Sequence, residues 1–192
     1  MGGSYVGNAA TFLIETLFGL YILIIMLRFL LQWARADFYN PVSQFIVKAT
    51  QPPLAPLRRL IPGFASFDLA AAVFMFAMKF VELWLITGLL GLSPQIAGIA
   101  MLSVAELLGL LVNVFIFSIL IQVIISWVNP GMHNPVMGLL HSLNEPLLGP
   151  ARRIIRPISG LDLSPIVVII FLQLVSMLAV TPIRDLARSM LI

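Results

Sequence analysis

Long apolar runs alternate along this chain with short stretches that hold most of its charge. Four runs reach the length of a membrane crossing. Phe12–Trp33 and Leu69–Leu90 each have 22 residues, about 33 Å as helices. Ile99–Trp127 has 29, more than a perpendicular crossing needs, and predicts tilt or a protruding end. Leu163–Ile183 has 21 and is expected to close at Pro182. The first run is too long for the apolar segment of a signal peptide and no basic residue precedes it, so it reads as a retained span. The pattern predicts an all-α polytopic membrane protein with four transmembrane helices.

Composition strengthens that reading. The 192 residues are 60% hydrophobic and 10% charged, against about 25% charged in a soluble domain. Mean hydropathy is +1.07. So few charges cannot cover the surface of a small soluble protein, which excludes a soluble enzyme, a disordered tail and a nucleic-acid binder. The net charge of +3 points to no nucleic-acid partner, because the arginines sit in short loops beside apolar runs. With no cysteine, disulfides and thiolate metal sites are excluded.

Lysine and arginine in the short loops set the expected orientation. The stretch from Ala34 to Phe67 holds Arg35, Lys48, Arg58 and Arg59, and that from Val128 to Leu161 holds Arg152, Arg153 and Arg156. The middle loop, Gly91 to Gly98, holds none. Both basic loops are expected on the cytoplasmic side of a bacterial inner membrane, with both termini periplasmic. Arg184 and Arg188 argue mildly the other way.

The chain is duplicated. An offset of 94 residues aligns its halves without a gap, and 13 of the 41 positions from Trp33 to Val73 are identical. The matches fall in tryptophan, asparagine, proline, arginine and aspartate, which shared apolarity does not explain. Two repeats, 12–92 and 99–186, each read as span, basic loop, span. Two crossings return the chain to its starting side, so the repeats should be parallel and related by an axis along the membrane normal.

Each loop carries its own helix signals. Asn40-Pro41 and Asn134-Pro135 read as an N-cap followed by proline in the first turn. Val42, Phe45, Ile46 and Ala49, then Val136, Leu139, Leu140 and Leu143, recur at helical spacing, as in an amphipathic helix lying at the membrane surface. Pro52-Pro53 and Pro146 are expected to break these helices, leaving the arginine pairs on a second short turn. Asp68 and Asp162 are placed to cap the spans that follow. Two readings of Arg58, Arg59, Arg152, Arg153 and Arg156 stand. They bind anionic lipid headgroups or a partner's acidic segment, or they only fix topology. Trp33 and Trp127 read as interfacial anchors.

Glu15, Arg28, Lys79, Glu82 and Glu106 fall inside apolar runs, where a charge is costly unless paired or wet. Lys79 and Glu82 are three apart and can neutralise each other. Arg28 is near the inner end and is expected to snorkel. Glu15 and Glu106 occupy equivalent helices one turn out of register. With Asn113, Gln122 and Gln173 they would line a polar seam for a cation or proton; the plainer reading is protonated or solvated packing groups. Catalysis has little support. His133 and His141 lie eight apart without clustered carboxylates, no nucleotide-binding or nucleophile motif occurs, and no metal or cofactor is implied.

The repeated strings carry a resemblance. Asn40-Pro41, Pro52-Pro53-Leu54-Ala55-Pro56-Leu57-Arg58-Arg59-Leu60-Ile61 and Asp68-Leu69, with Asn134-Pro135, Pro146 to Ile155 and Asp162-Leu163-Ser164-Pro165, resemble the YggT (YlmG-like) family of small bacterial and plastid membrane proteins. Arg35 to Pro41 is similar to the two-copy form of Gram-negative bacteria. The first copy departs from the pattern at Gln51, where an acid is usual, and at Ala70-Ala71, where Ser-Pro is usual. The resemblance implies a non-catalytic membrane protein tied to osmotic-stress tolerance and ion homeostasis, by conduction or by modulating a transporter. It also implies the alternative of a scaffold or assembly factor for cytochrome complexes, the envelope or division. Partners expected are anionic membrane lipids and a second copy or another membrane protein, with Gly88, Gly91 and Gly109 as close-packing points.

Overall fold

The computed structural model describes residues 2–61, 67–91, 95–128, 134–155 and 162–191. Its helices are α1 (Gly2–Trp33), α2 (Pro41–Leu60), α3 (Leu69–Leu89), α4 (Ile96–Val128), α5 (Pro135–Ile154), α6 (Ser164–Val175) and α7 (Thr181–Ser189). A π-helical turn, Ser176–Val180, joins α6 to α7. Four rods are long and apolar enough to cross a membrane: Tyr5–Trp33, Leu69–Leu89, Ile96–Val128 and Ser164–Ser189. The chain is an all-α membrane protein built as two helix–loop–helix repeats. Because α4 is apolar on every side, its period gives no inner face; a helix of that kind belongs in lipid or in a core.

Two proline expectations are corrected. Pro182 does not end the last span, which continues to Ser189. The π turn re-spaces the ladder so that the Thr181 N–H reaches the Ser176 carbonyl, and the Thr181 hydroxyl donates to the same oxygen at 3.0 Å. The loop helices are not broken either. α2 runs through Pro52, Pro53 and Pro56, and α5 through Pro146 and Pro150. Pro53 has no N–H for the Ala49 carbonyl, and the Tyr21 hydroxyl of α1 donates there instead, at 3.4 Å. The carbonyls freed by the other prolines belong to Lys48, Pro52, Ser142 and Pro146, none of them buried.

Within each repeat the loop helix folds back under its first span. α2 buries Ser43, Ile46, Thr50 and Leu54, and α5 buries Leu139, Leu143, Asn144 and Leu148. Leu54 and Leu148 enter one core together with Ile25 and Ile119; Leu54 and Leu148, like Ile25 and Ile119, are equivalent positions, all at most 1% exposed. A polar contact sits beside each plug. Arg28 does not snorkel: it is buried, and its guanidinium donates to the Thr50 hydroxyl at 2.7 Å, the Gln51 side-chain oxygen at 2.8 Å and the Val47 carbonyl at 3.3 Å. In the second repeat the same two positions are Gln122 and Asn144, whose amides bond at 2.7 Å, while the Ser118 hydroxyl donates to Asn144 at 2.6 Å.

The repeats pack together without closing a two-fold. α1 packs on α3, α3 on α4, and α4 on α6 and α7. α5 also crosses onto α1, but α2 makes no matching contact with α4. Leu139 of α5 is accordingly buried and its counterpart Phe45 of α2 exposed. The starts of the loop helices meet, where the Asn40 side-chain amide donates to the Pro135 carbonyl at 2.6 Å.

Replacing Arg28 by Leu strips Thr50, Gln51 and the Val47 carbonyl of their donor. The expected cost is about 1–3 kcal/mol, read as a lower denaturation temperature in detergent. Arg28→Gln, which installs the second repeat's residue, should lose less. Equal stability of Arg28→Leu and wild type would contradict the joint.

Candidate functional site

The arginine pairs end α2 and α5, and their two members part company. Arg58 turns inward and pairs with Asp68, with Gln32 3.4 Å from the same nitrogen. Arg152 pairs with Asp162 and with Glu145, each at 2.9 Å. The first guanidinium of each pair therefore ties the end of a loop helix to the start of the next span. Arg59 and Arg153 are exposed, and among the described residues neither has a carboxylate partner. Beside them Leu60 and Ile154 are exposed as well, at 82% and 83%. Each loop helix thus ends in an outward guanidinium next to an outward aliphatic side chain.

The capping residues hold this geometry. Asn40 and Asn134 accept from the backbone N–H of Val42 and Val136, at 2.9 and 3.0 Å. Asp68 is buried and accepts from the Ala71 N–H at 3.2 Å while it holds Arg58. Asp162 differs: Leu163 occupies the cap position and Asp162 accepts from the Ser164 N–H at 2.9 Å. Burial works against ionisation of Asp162, but hydrogen bonds from Ser164 and the charge of Arg152 outweigh it and hold the carboxyl below its ordinary range.

Gln51, the first copy's departure from the acid, receives Arg28; Glu145 at that position receives Arg152 and lies 3.7 Å from His141. Trp33 stands edge-on to Phe115 of α4, and Trp127 is 72% exposed. Arg156 and His133 lie outside the described residues.

Of the acids inside the spans, Glu82 and Glu106 are held in ion pairs and Glu15 is not. Lys79 and Glu82 bond at 2.8 Å on α3. Glu106 does not join Glu15; it pairs with Arg184 of α7 at 3.0 Å. Gly109, one turn along α4, leaves the space that the Arg184 guanidinium fills, since a Cβ there would stand 3.0 Å from it. Glu15 is exposed on α1. Gln122 is engaged with Asn144, and Asn113 faces outward. Sequence reasoning missed Thr50, Asn144, Ser118 and Arg184. The signal for the first two was present, because the offset of 94 puts Arg28–Thr50 over Gln122–Asn144. It shows only when polarity is compared, since the residues differ.

A family model described as CCB3/YggT matches residues 7–89 and 101–183, offset by 94 at both ends. The chain is similar to an uncharacterized protein of Pseudomonas aeruginosa, 45% identical over 90% of this chain and 89% of that protein. A Vibrio alginolyticus protein from the proC 3' region is 47% identical over 89% and 93%. The Escherichia coli protein named YggT is 36% identical over 88% of each. No solved structure matches the chain.

The Asp162 contact has a pH signature. A carboxyl held low by folding stabilises the folded state at every pH above its unfolded value, about 3.9, and the gain is lost as pH falls through the folded value. The contact is half-exposed, so its effect is small. The difference in denaturation temperature between wild type and Asp162→Asn is expected to stay constant from neutral pH to about pH 5 and to shrink as the pH falls below the ordinary carboxylate range, about 3.9. A difference that persists at the lowest pH would show that the charge is not what stabilises.

Proposed function

The chain belongs to the CCB3/YggT family, and from that premise we propose that it is a non-catalytic organiser of the bacterial inner membrane that holds anionic headgroups through Arg59 and Arg153. One observation carries this reading: in both repeats one arginine is consumed by an internal aspartate while its neighbour points outward beside an exposed aliphatic residue. A guanidinium fork suits a phosphate, and Leu60 and Ile154 suit the acyl boundary beneath it. The loop helices then lie along the cytoplasmic surface, with the basic loops inside and both termini periplasmic. Seven basic residues in the two loops support that sidedness. Arg184, one of the two opposing charges, is neutralised by Glu106. In such a role the protein serves osmotic tolerance and ion homeostasis, or the assembly of other membrane complexes, by positioning membrane components.

Conduction through one subunit is the weaker reading. Of its proposed acids, Glu82 and Glu106 each hold a cation of the same chain. Glu15 is the observation in its favour, being exposed and without a cation among the described residues.

Phosphatidylglycerol added to the purified protein is expected to raise its denaturation temperature by several degrees more than phosphatidylcholine does. In Arg59→Gln/Arg153→Gln that increment should disappear while the temperature without lipid stays unchanged. An increment kept by the double variant would refute the headgroup contact. The absence of cysteine allows a direct topology test. Ser142→Cys should react with an impermeant maleimide only from the cytoplasmic side, and labelling from the periplasm would reverse the orientation.

A further inference from the structure

Asn113 is the one outward polar side chain in the middle of α4. α4 has 33 residues, about 50 Å of helix, against a hydrocarbon layer of about 30 Å. Asn113 lies about 25 Å from either end, so any placement in which α4 crosses the bilayer leaves it within hydrocarbon. Its side chain is exposed and has no hydrogen-bond partner among the described residues. An unpaired amide there is costly, and acyl chains offer it nothing.

Asn113 also belongs to a pattern. Phe117, Leu120, Ile124 and Trp127 follow it at steps of four, three, four and three, and all are exposed. That is the spacing of a helix–helix seam with one polar residue in it. Beside the seam is a hollow of about 480 Å³ between α1, α4 and α5, lined by Leu23, Leu27, Asn113, Phe117, Leu140 and Leu143 among others. At that volume it has room for large side chains from outside.

We propose that this face of α4 is the contact of a symmetric dimer, in which Asn113 of each copy hydrogen-bonds Asn113 of the other. A side-chain amide is both donor and acceptor, so a two-fold axis beside it satisfies both groups with no further residue. The Phe117 rings then enter the hollows of the opposite copies. A second copy fits better than lipid, because only the copy returns a hydrogen bond at that depth.

Cross-linking in native membranes tests this. Single cysteines are placed at Phe117 and Ile124 on the seam and at Ile170, exposed on α6, as reference. Oxidation should give several times more dimer from the seam positions than from Ile170→Cys. With Asn113→Leu added, self-association should weaken about five- to thirtyfold, whereas Asn113→Gln should stay close to wild type. Dimer is scored per inserted molecule, so that a change in expression does not enter. The proposal falls if the three positions cross-link alike, or if Asn113→Leu dimerises as wild type does. It falls equally if a photoreactive acyl chain labels Phe117→Cys as strongly as Ile170→Cys, which would give the hollow to lipid.

Discussion

The fold depends on polar side chains that meet inside the helix bundle, where burial keeps water from replacing them. Arg28 with Thr50 in the first repeat, and Gln122 with Asn144 in the second, fasten each loop helix to its preceding span. A lost partner at such a site is worth more than an average hydrogen bond, since the remaining group is left desolvated. The apolar plugs alone, Leu54 and Leu148, would allow the loop helices to slide. The polar contacts fix their depth and rotation. That rotation places the first arginine of each pair against its aspartate and turns the second one outward.

Several charges within the bundle follow the same logic. Lys79 answers Glu82, Arg184 answers Glu106 over the gap left by Gly109, and Arg58 and Arg152 answer Asp68 and Asp162. Four of the polar groups left unmatched among the described residues are informative. Arg59 and Arg153 end the loop helices, Glu15 stands on α1, and the Asn113 amide faces out of α4. The headgroup reading rests on the first two and the dimer reading on the last, so neither depends on the other.

Duplication did not yield a symmetric molecule. Leu139 and Leu143 of α5 lie against the bundle, while Phe45, at the position of Leu139, is exposed on α2. α5 crosses to α1 and α2 stays with its own repeat. The hollow beside α4 is bounded by α1 and α5, and one sequence motif used twice acquires two environments.

The sequence by itself determined the class, the number of spans and the repeat, because hydropathy and the spacing of repeated residues are local properties of the chain. It also marked Asn40, Asn134 and Asp68 as caps, since a capping side chain bonds within three residues of itself. Partners across the bundle were another matter. Whether Arg28 snorkels or is buried depends on where Thr50 and Gln51 come to lie, and the Ala49 carbonyl that Pro53 leaves free is met by a Tyr21 hydroxyl 28 residues earlier in the chain. The pairing of Glu106 with Arg184 spans 78 residues. These contacts join residues distant in sequence, and only the packing of helices brings them within hydrogen-bonding reach.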